Sequence, residues 1–194
     1  MESGGVGPAR VRAVGDEVRA EAARLAADWR ARDAATWEAP SACTAWTVRD
    51  VAAHVGDGAE RAVEVARAAI DGAPVPQYGS AERRQRHRQF RELAGAELAA
   101  RLEADLGRVF EMLEGADAAA LRDTIVPLAG GPHTLGQFAE QRLNEVALHA
   151  WDVRAPGDPS AVLPADAAAL LLDFTVWRVP RLASPAEARG WAPV

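Results

Sequence analysis

Two segments of this sequence decide its fold and its candidate site: Trp46-Thr47-Val48-Arg49-Asp50-Val51-Ala52-Ala53-His54 and Asn144-Glu145-Val146-Ala147-Leu148-His149. Residues four apart on a helix lie on one face, one turn apart, so the second segment pairs the carboxylate of Glu145 with the imidazole of His149. The first segment places His54 in another amphipathic helix. Two histidines and one carboxylate from two helices make a three-ligand set that leaves open positions on a metal ion. The pattern therefore predicts chemistry or ligand binding, and not a structural metal clip.

Helix signals extend outward from these two segments. Thr47 and Asp50 form a capping-box pattern that predicts the start of one helix, and Gly72 predicts its end. Thr134 caps the helix of the second segment. An apolar face with spacings of three and four predicts a first helix through Val11, Val14, Val18, Ala22, Leu25 and Trp29.

The rest of the chain also reads as helix, with no convincing strands. A long helical region over 81–114 is expected to bend or break near Gly95. The helix over 134–153 carries the second segment. The last helix is predicted over 164–179, where Pro180 limits it. The segments that we expect to connect these helices are 33–46, 73–78 and 123–132, the last of them irregular or extended with a Gly130-Gly131-Pro132 turn.

Five helices without an alternating strand pattern predict an all-α bundle whose interior can host a metal site. We find no internal repeat, no low-complexity linker and no second domain. We therefore expect residues 1–194 to form a single domain.

Composition bounds the function. The 194-residue chain has a formal net charge of −6, which argues against a nucleic-acid binder. No apolar run is long enough to span a membrane, and the first five residues do not resemble a signal peptide. The single cysteine, Cys43, excludes an intrachain disulfide and suits a cytoplasmic protein. All 22 basic residues other than histidine are arginine, a bias that suggests a GC-rich genome.

A wider set of residues belongs to the same two motifs, within 37–54 and 142–153: Trp37, Pro40, Cys43, Trp46, Thr47-Val48-Arg49-Asp50, His54, Arg142, Glu145, His149 and Asp152. Together they resemble the metal-binding N-terminal domain of the mycothiol-dependent maleylpyruvate isomerase family. The resemblance implies a DinB-like four-helix bundle, here with additional short helices. It also implies that His54, Glu145 and His149 bind a divalent metal, usually zinc, and that mycothiol is the thiol cofactor.

The resemblance also implies an activity. Members of the family isomerise maleylpyruvate or transfer the thiol to small electrophiles, and mycothiol belongs to GC-rich actinobacteria. The isomerases have a further C-terminal domain that adds an arginine to the active site, and we expect this chain to lack that domain. Because a divalent cation deprotonates a coordinated thiol, we predict a metal- and mycothiol-dependent enzyme whose metal-bound thiolate attacks a small electrophile. The sequence does not choose between thiol transfer and cis–trans isomerisation.

Other functions stay open at this point. The chain could be a non-catalytic module of the same fold that binds a metal or a small ligand. It could also be a metal-dependent hydrolase, for which Asp57 and Glu60 are weak acid or base candidates. Histidine and carboxylate ligands suit zinc, nickel and iron alike. The expected partners are a small substrate and a low-molecular-weight thiol, and the chain is expected to be a monomer or a homodimer.

Four residues are candidates to hold the metal ligands in place or to line the pocket beside them. Asp50, one turn before His54, either holds that imidazole or serves only as a first-turn carboxylate. Asp152 could hold His149, although we favour a structural role at the helix end. Arg142 either points toward the pocket or pairs with Glu145, and Trp151 is a candidate to line the substrate cavity.

The remaining reactive residues have more ordinary interpretations. His133 follows a turn and is expected to be incidental. His87 lies in an arginine-rich run that we expect to be a solvated helix face, with a basic rim for a carboxylate substrate as the alternative. Cys43 is expected to pack as a small apolar residue. Core or pocket-wall positions are expected for Trp29, Trp37, Trp46, Trp151 and Trp177.

Overall fold

The computed structural model describes residues 6–128 and 131–182, with side chains as far as Val176. Eight helices and one two-stranded sheet occur in these ranges, which confirms the expected all-α class with additional short helices. The elements are α1 (Pro8–Ala31), α2 (Ala34–Trp37), α3 (Val48–Ile70), α4 (Ser80–Arg91), α5 (Gly95–Gly115), α6 (Ala118–Asp123), β1 (Ile125–Leu128), β2 (Gly131–Thr134), α7 (Leu135–Arg154) and α8 (Ala165–Leu182).

The four long helices α1, α3, α5 and α7 form the bundle. Helix α1 packs against α5 and α7, and α3 packs against the same two helices from the other side. The apolar face predicted for the first helix is buried in this core, as is the leucine-rich face of α5. The largest fully buried side chains of the bundle include Trp29, Phe110, Phe138, Leu98, Leu102, Leu106 and Leu113.

Both helices that carry the candidate ligands begin at a capping box. Thr47 accepts a hydrogen bond from the Asp50 backbone amide, and the Asp50 side chain accepts one from the Thr47 amide. Thr134 and Gln137 form the same reciprocal pair at the start of α7. These caps fix where each helix begins, and burial of the apolar face decides which residues point into the bundle.

The predicted break near Gly95 separates α4 from α5. Helix α4 ends at Arg91, and α5 begins at Gly95. A Cβ atom at position 95 would lie 2.6 Å from the backbone oxygen of Trp29 and 2.6 Å from the Trp37 ring. Glycine therefore lets α5 begin in direct contact with the end of α1.

The segments predicted as connections contain structure that the sequence analysis missed. The 33–46 stretch includes the four-residue helix α2, in which the Asp33 side chain caps the amide of Thr36. Asp117 caps α6 through the amide of Ala120 in the same way. Both helices are too short to show an apolar periodicity, and a cap alone does not predict a helix.

The expectation of no strands was also wrong in detail. Strands β1 and β2 pair antiparallel, with Val126 opposite His133 and Pro127 opposite Pro132. Each strand has four residues and contains a proline, a composition that argues against a strand in sequence analysis. The hairpin instead reflects its packing against α3 and α7.

Helix α8 extends to Leu182, past its predicted end at Val179. A proline in the last turn removes a single helical hydrogen bond, and this does not force the helix to stop there. Predictions on three other parts of the chain, residues 1–5, the Trp177 side chain and residues 183–194, lie outside what the structure describes. No helix in the described ranges has both the length and the apolarity that a membrane crossing requires.

Candidate metal centre and its cavity

The candidate ligands lie where α3 and α7 pack side by side. His54 is two turns into α3, and its neighbours Ala53 and Val55 are buried. Glu145 and His149 follow one another on α7 at a spacing of one turn, with Val146 between them in the core. All three side chains therefore lie on the same side of the α3–α7 contact.

The three side chains lie close enough to share one ion. His54 Nε2 is 3.4 Å from Glu145 Oε2, and His149 Nε2 is 3.9 Å from the same oxygen. One ligand atom from each residue lies within 4.8 Å of the other two. Around a tetrahedral zinc ion with bonds of about 2.1 Å, ligand atoms are separated by about 3.4 Å. The donor set thus fits a divalent cation with small side-chain adjustments, while metal binding itself stays a prediction.

The carboxylate of Glu145 is held ionised. Burial acts to raise its pKa, but the hydrogen bond with His54 and the nearby charge of Arg142 outweigh this effect and lower the pKa to about 2. Gln141 Nε2 donates to Glu145 Oε1 at 3.1 Å, which leaves Oε2 turned toward the two imidazoles. Gln141 was missed in the sequence, although its position one helical turn before Glu145 was the signal that could have identified it.

The structure brings Asp152, and not Asp50, into contact with a candidate ligand. His149 Nδ1 donates to Asp152 Oδ2 at 2.8 Å, so the ring presents Nε2 to the site. The structural role at the helix end that we favoured for Asp152 does not account for this hydrogen bond to His149. Asp50 instead completes the capping box with Thr47 and accepts a hydrogen bond from Arg91 Nε at 2.6 Å.

Trp46, and not Trp151, packs against the candidate ligands. The Trp46 ring lies 5.1 Å from the His54 ring and 6.3 Å from the His149 ring, measured between centroids. Trp151 was a candidate for the cavity wall, but its indole N–H donates to the carbonyl of Ala161 at 2.9 Å. It lies two residues after His149, about 200° around α7, so it faces away from the site.

A cavity of about 440 Å³ opens beside His54 and Glu145. Its walls come from α3, from α7, from the β1 strand, from the 71–79 connection that leads into α4, and from Arg83 of α4 itself. Besides the two candidate ligands, the polar side chains that line it are Arg61, Gln77, Tyr78, Arg83, Gln141 and Arg142.

Arg142 gives this cavity a half-buried positive charge. Burial lowers the pKa of Arg142 to about 10, still far above neutral pH, so the guanidinium stays charged. It donates to Gln141 Oε1 and to the carbonyl of Gly58. Of the two alternatives for Arg142, the structure shows the one in which it lines the cavity, and not an ion pair with Glu145. Among the described arginines that are not exposed, Arg142 is the one with no carboxylate within 4.0 Å.

The arginine-rich run is more than a solvated face. Arg83 is exposed and lines the cavity, whereas Arg86 pairs with the buried Asp57 at 2.6 Å. Asp57 also accepts from Arg61, and Glu60 accepts from Arg86, so both acids proposed for a hydrolase already have arginine partners.

The other reactive residues lie outside the three-ligand cluster. His87 Nε2 is 3.6 Å from Asp50 Oδ1, and its ring is 5.8 Å from that of Trp46. His133 is buried in β2, with Nδ1 2.9 Å from the carbonyl of Gly131. Cys43 packs half-buried against the core, and burial raises the pKa of its thiol.

Comparison with known proteins gives a family and a fold. The model of the mycothiol maleylpyruvate isomerase N-terminal domain matches residues 18–154, so the chain belongs to this family. A crystal structure of mycothiol-dependent maleylpyruvate isomerase matches with 20% identity and a TM-score of 0.66, over 83% of this chain and 67% of that chain. A mutant of that isomerase in which a histidine is replaced by alanine matches over the same shares, with 19% identity and a TM-score of 0.66. A comparison with curated proteins gives no match.

Proposed function

We propose that this family member is a metal-dependent enzyme that uses a low-molecular-weight thiol, mycothiol, on a small electrophilic substrate. The observation that carries the proposal is the convergence of His54, Glu145 and His149 beside a 440 Å³ cavity, which His54 and Glu145 line. Three protein ligands leave coordination positions free, which is the arrangement of a catalytic site. A structural site would be closed by a fourth side chain.

The residues present fit zinc or a similar divalent cation. Such an ion supplies a way to keep a thiol deprotonated at neutral pH, because it favours the thiolate among its ligands. Glu145 contributes a full negative charge to the donor set, since its pKa is about 2. Asp152 keeps the proton of His149 on Nδ1, so that Nε2 offers its lone pair to the site.

The cavity charge favours an anionic substrate. Arg142 has no carboxylate partner, and Arg83 forms no ion pair with the described residues. Arg61, in contrast, is neutralised by Asp57 at 2.9 Å. A small carboxylate is therefore the substrate class that we propose, because a guanidinium binds a carboxylate through two parallel hydrogen bonds. Maleylpyruvate isomerisation and thiol transfer to another electrophilic acid are both reactions of this kind.

A metal-dependent hydrolase is less well supported. Such an enzyme needs a free acid or base beside the metal-bound water. Asp57 and Glu60 are engaged by arginines and do not line the cavity. The remaining alternative is a non-catalytic binding module, and an activity assay distinguishes it from the proposed enzyme.

The test compares metal-free protein with protein reloaded with zinc, nickel or iron. Consumption of mycothiol is followed with maleylpyruvate and with a second electrophilic acid. We expect turnover only in the reloaded samples, and none in His149→Ala under the same loading. Undiminished turnover in the metal-free protein would reject the mechanism, and stoichiometric metal without turnover of any electrophile would favour the binding module.

A further inference from the structure

The two candidate ligand histidines are held in place by different means. The Nδ1 atom of His149 donates to Asp152 Oδ2 at 2.8 Å, which fixes both its tautomer and its ring plane. A metal-binding histidine normally needs such a partner on its second nitrogen, because a freely rotating ring is a poor ligand.

His54 has no such hydrogen bond. Its Nε2 lies 3.4 Å from Glu145 Oε2, and none of the described residues accepts a hydrogen bond from its Nδ1. The ring instead contacts two other rings. Trp46 lies 5.1 Å away at an interplanar angle of 56°, and His149 lies 4.9 Å away at 79°.

Hydrogen bonds within the loop fix the backbone of Trp46. The Trp46 amide donates to the carbonyl of Cys43 at 3.0 Å, and its carbonyl accepts from Ser41 N at 3.0 Å and Ser41 Oγ at 2.9 Å. The preceding residue, Ala45, has a φ of +67°, a left-handed conformation that is unfavourable for a non-glycine residue. The loop maintains this strained turn directly before the cap residue of α3.

The same loop is tied to α7 beside His149. The amide of Ala42 donates to the backbone carbonyl of Asp152 at 2.8 Å. The loop therefore positions Trp46 relative to both helices that carry candidate ligands. The loop that carries Trp46, which packs on His54, is thus also bonded to Asp152, which holds His149.

We propose that Trp46 is a positioning residue that sets the ring orientation of His54 in the metal centre. The proposal rests on the function proposed above. The Trp46 ring takes the place of the missing hydrogen bond, because an aromatic ring packed against the imidazole restricts its rotamer. Trp46 acts through His54 and has no contact with the reaction of its own.

The test measures metal affinity, and not turnover. Zinc affinity is determined by chelator competition for the wild-type protein, Trp46→Leu and Trp46→Phe. Leucine keeps an apolar side chain and removes the ring, whereas phenylalanine keeps a ring. We expect Trp46→Leu to bind zinc up to about 10-fold more weakly, as for the loss of one aromatic contact, and Trp46→Phe to recover most of the affinity.

Cobalt spectra identify which ligand is affected. We expect the visible absorption of bound Co²⁺ in Trp46→Leu to shift toward that of His54→Ala, and not toward that of Asp152→Asn, which loosens His149. Thermal melts of the metal-free proteins check that the fold is kept. Should Trp46→Leu fail to fold, Ser41→Ala removes a bond to the Trp46 carbonyl without touching a candidate ligand, and it is expected to weaken zinc binding in the same direction.

The outcomes separate the two proposals. A wild-type protein that binds no zinc would overturn the proposed function. A wild-type protein that binds zinc, together with unchanged affinity in folded Trp46→Leu or in its Ser41→Ala substitute, would overturn only the role of Trp46. An equal loss in Trp46→Phe and Trp46→Leu would also overturn it, because the ring would then not be the group that matters.

Discussion

Glu145 contacts both candidate histidines and Gln141. One of its oxygens accepts from Gln141, and the other faces the imidazoles of His54 and His149. Since its pKa is about 2, the carboxylate is ionised throughout the range in which enzymes operate. The charge that it brings to a bound cation is therefore independent of pH near neutrality.

Replacing Glu145 by glutamine tests this charge with almost no change of shape. We expect Glu145→Gln to bind zinc more than about 100-fold more weakly, since even an indirect supporting group is worth 10- to 100-fold. The metal-free variant should keep its fold. Chelator competition gives the affinity, and Glu92→Gln, on an exposed residue without an ion pair in the described structure, is the matched control. Equal zinc affinity in Glu145→Gln and Glu92→Gln would show that Glu145 is not a metal ligand.

Asp50 predicts a pH dependence of stability. Burial acts to raise its pKa, but hydrogen bonds from Thr47 and the charge of Arg91 lower it from 3.8 to about 2. A carboxyl with a depressed folded-state pKa contributes stability above its unfolded pKa and loses it as the pH falls through the folded value. The shift corresponds to about 2 kcal/mol at neutral pH.

The variant Asp50→Asn should therefore be less stable than wild type at pH 7 by roughly 1–2 kcal/mol. We expect this difference to shrink between about pH 4 and pH 2, where wild-type Asp50 becomes protonated. Urea unfolding at pH 7 and near pH 2.5 measures it. A difference of the same size at both pH values would contradict the assigned cause.

At the scale of elements, α4 is attached to the bundle mainly by charge. Phe90 is its one buried residue, while Arg86 reaches Asp57 and Glu60 on α3 and Arg91 reaches Asp50. The connection that precedes α4 lines the cavity through Pro76, Gln77 and Tyr78. An element with little apolar burial opens at low free energy, so α4 is expected to be the part of the cavity wall that exchanges first.

Arg86→Ala should loosen α4 selectively. The change leaves the buried Asp57 with Arg61 as its remaining partner, and hydrogen bonds to charged groups contribute about 1.5–3 kcal/mol. We expect faster amide hydrogen exchange over 80–91 and unchanged exchange in α5. Arg88→Ala, on an exposed residue of the same helix without an ion pair, should leave both unchanged. Uniform acceleration across the molecule in Arg86→Ala would show a global effect and contradict this account.

The sequence predicts elements whose signals are local. Thr47 with Asp50, Thr134 as a cap and Gly72 with a φ of +66° each mark a helix end that the structure confirms. The hairpin of β1 and β2 has no such signal, since its stability comes from packing on α3 and α7. In the site, the one-turn spacing of Glu145 and His149 is local, but the contact of Trp46 with both imidazoles depends on how a loop crosses two helices. Such contacts depend on the tertiary structure, so no periodic pattern in the sequence predicts them.

At the scale of the whole molecule, a bound ion would join α3 to α7. These helices have fewer mutual contacts than α1 has with α5, so a cross-link between them adds to the stability of the bundle. A ligand at 1,000 times its dissociation constant stabilises the folded state by about 4 kcal/mol. For a chain of this length, that corresponds to a rise in Tm of roughly 8–16 °C.

We therefore expect zinc to raise the Tm of the wild-type protein by this amount and to leave the Tm of His149→Ala almost unchanged. Calorimetric melts of both proteins, with and without zinc, give the comparison. An equal rise in the two proteins would locate the bound zinc away from the three candidate ligands.

The most direct test of the central claim is anomalous diffraction at the zinc edge from crystals of zinc-loaded protein. The account predicts one strong peak between α3 and α7, bonded to Nε2 of His54, Nε2 of His149 and an oxygen of Glu145 at about 2.0–2.2 Å. It also predicts that the peak is absent from His149→Ala crystals grown in the same way. No zinc at this position in the loaded wild-type protein, or zinc bound there without all three side chains, would contradict it.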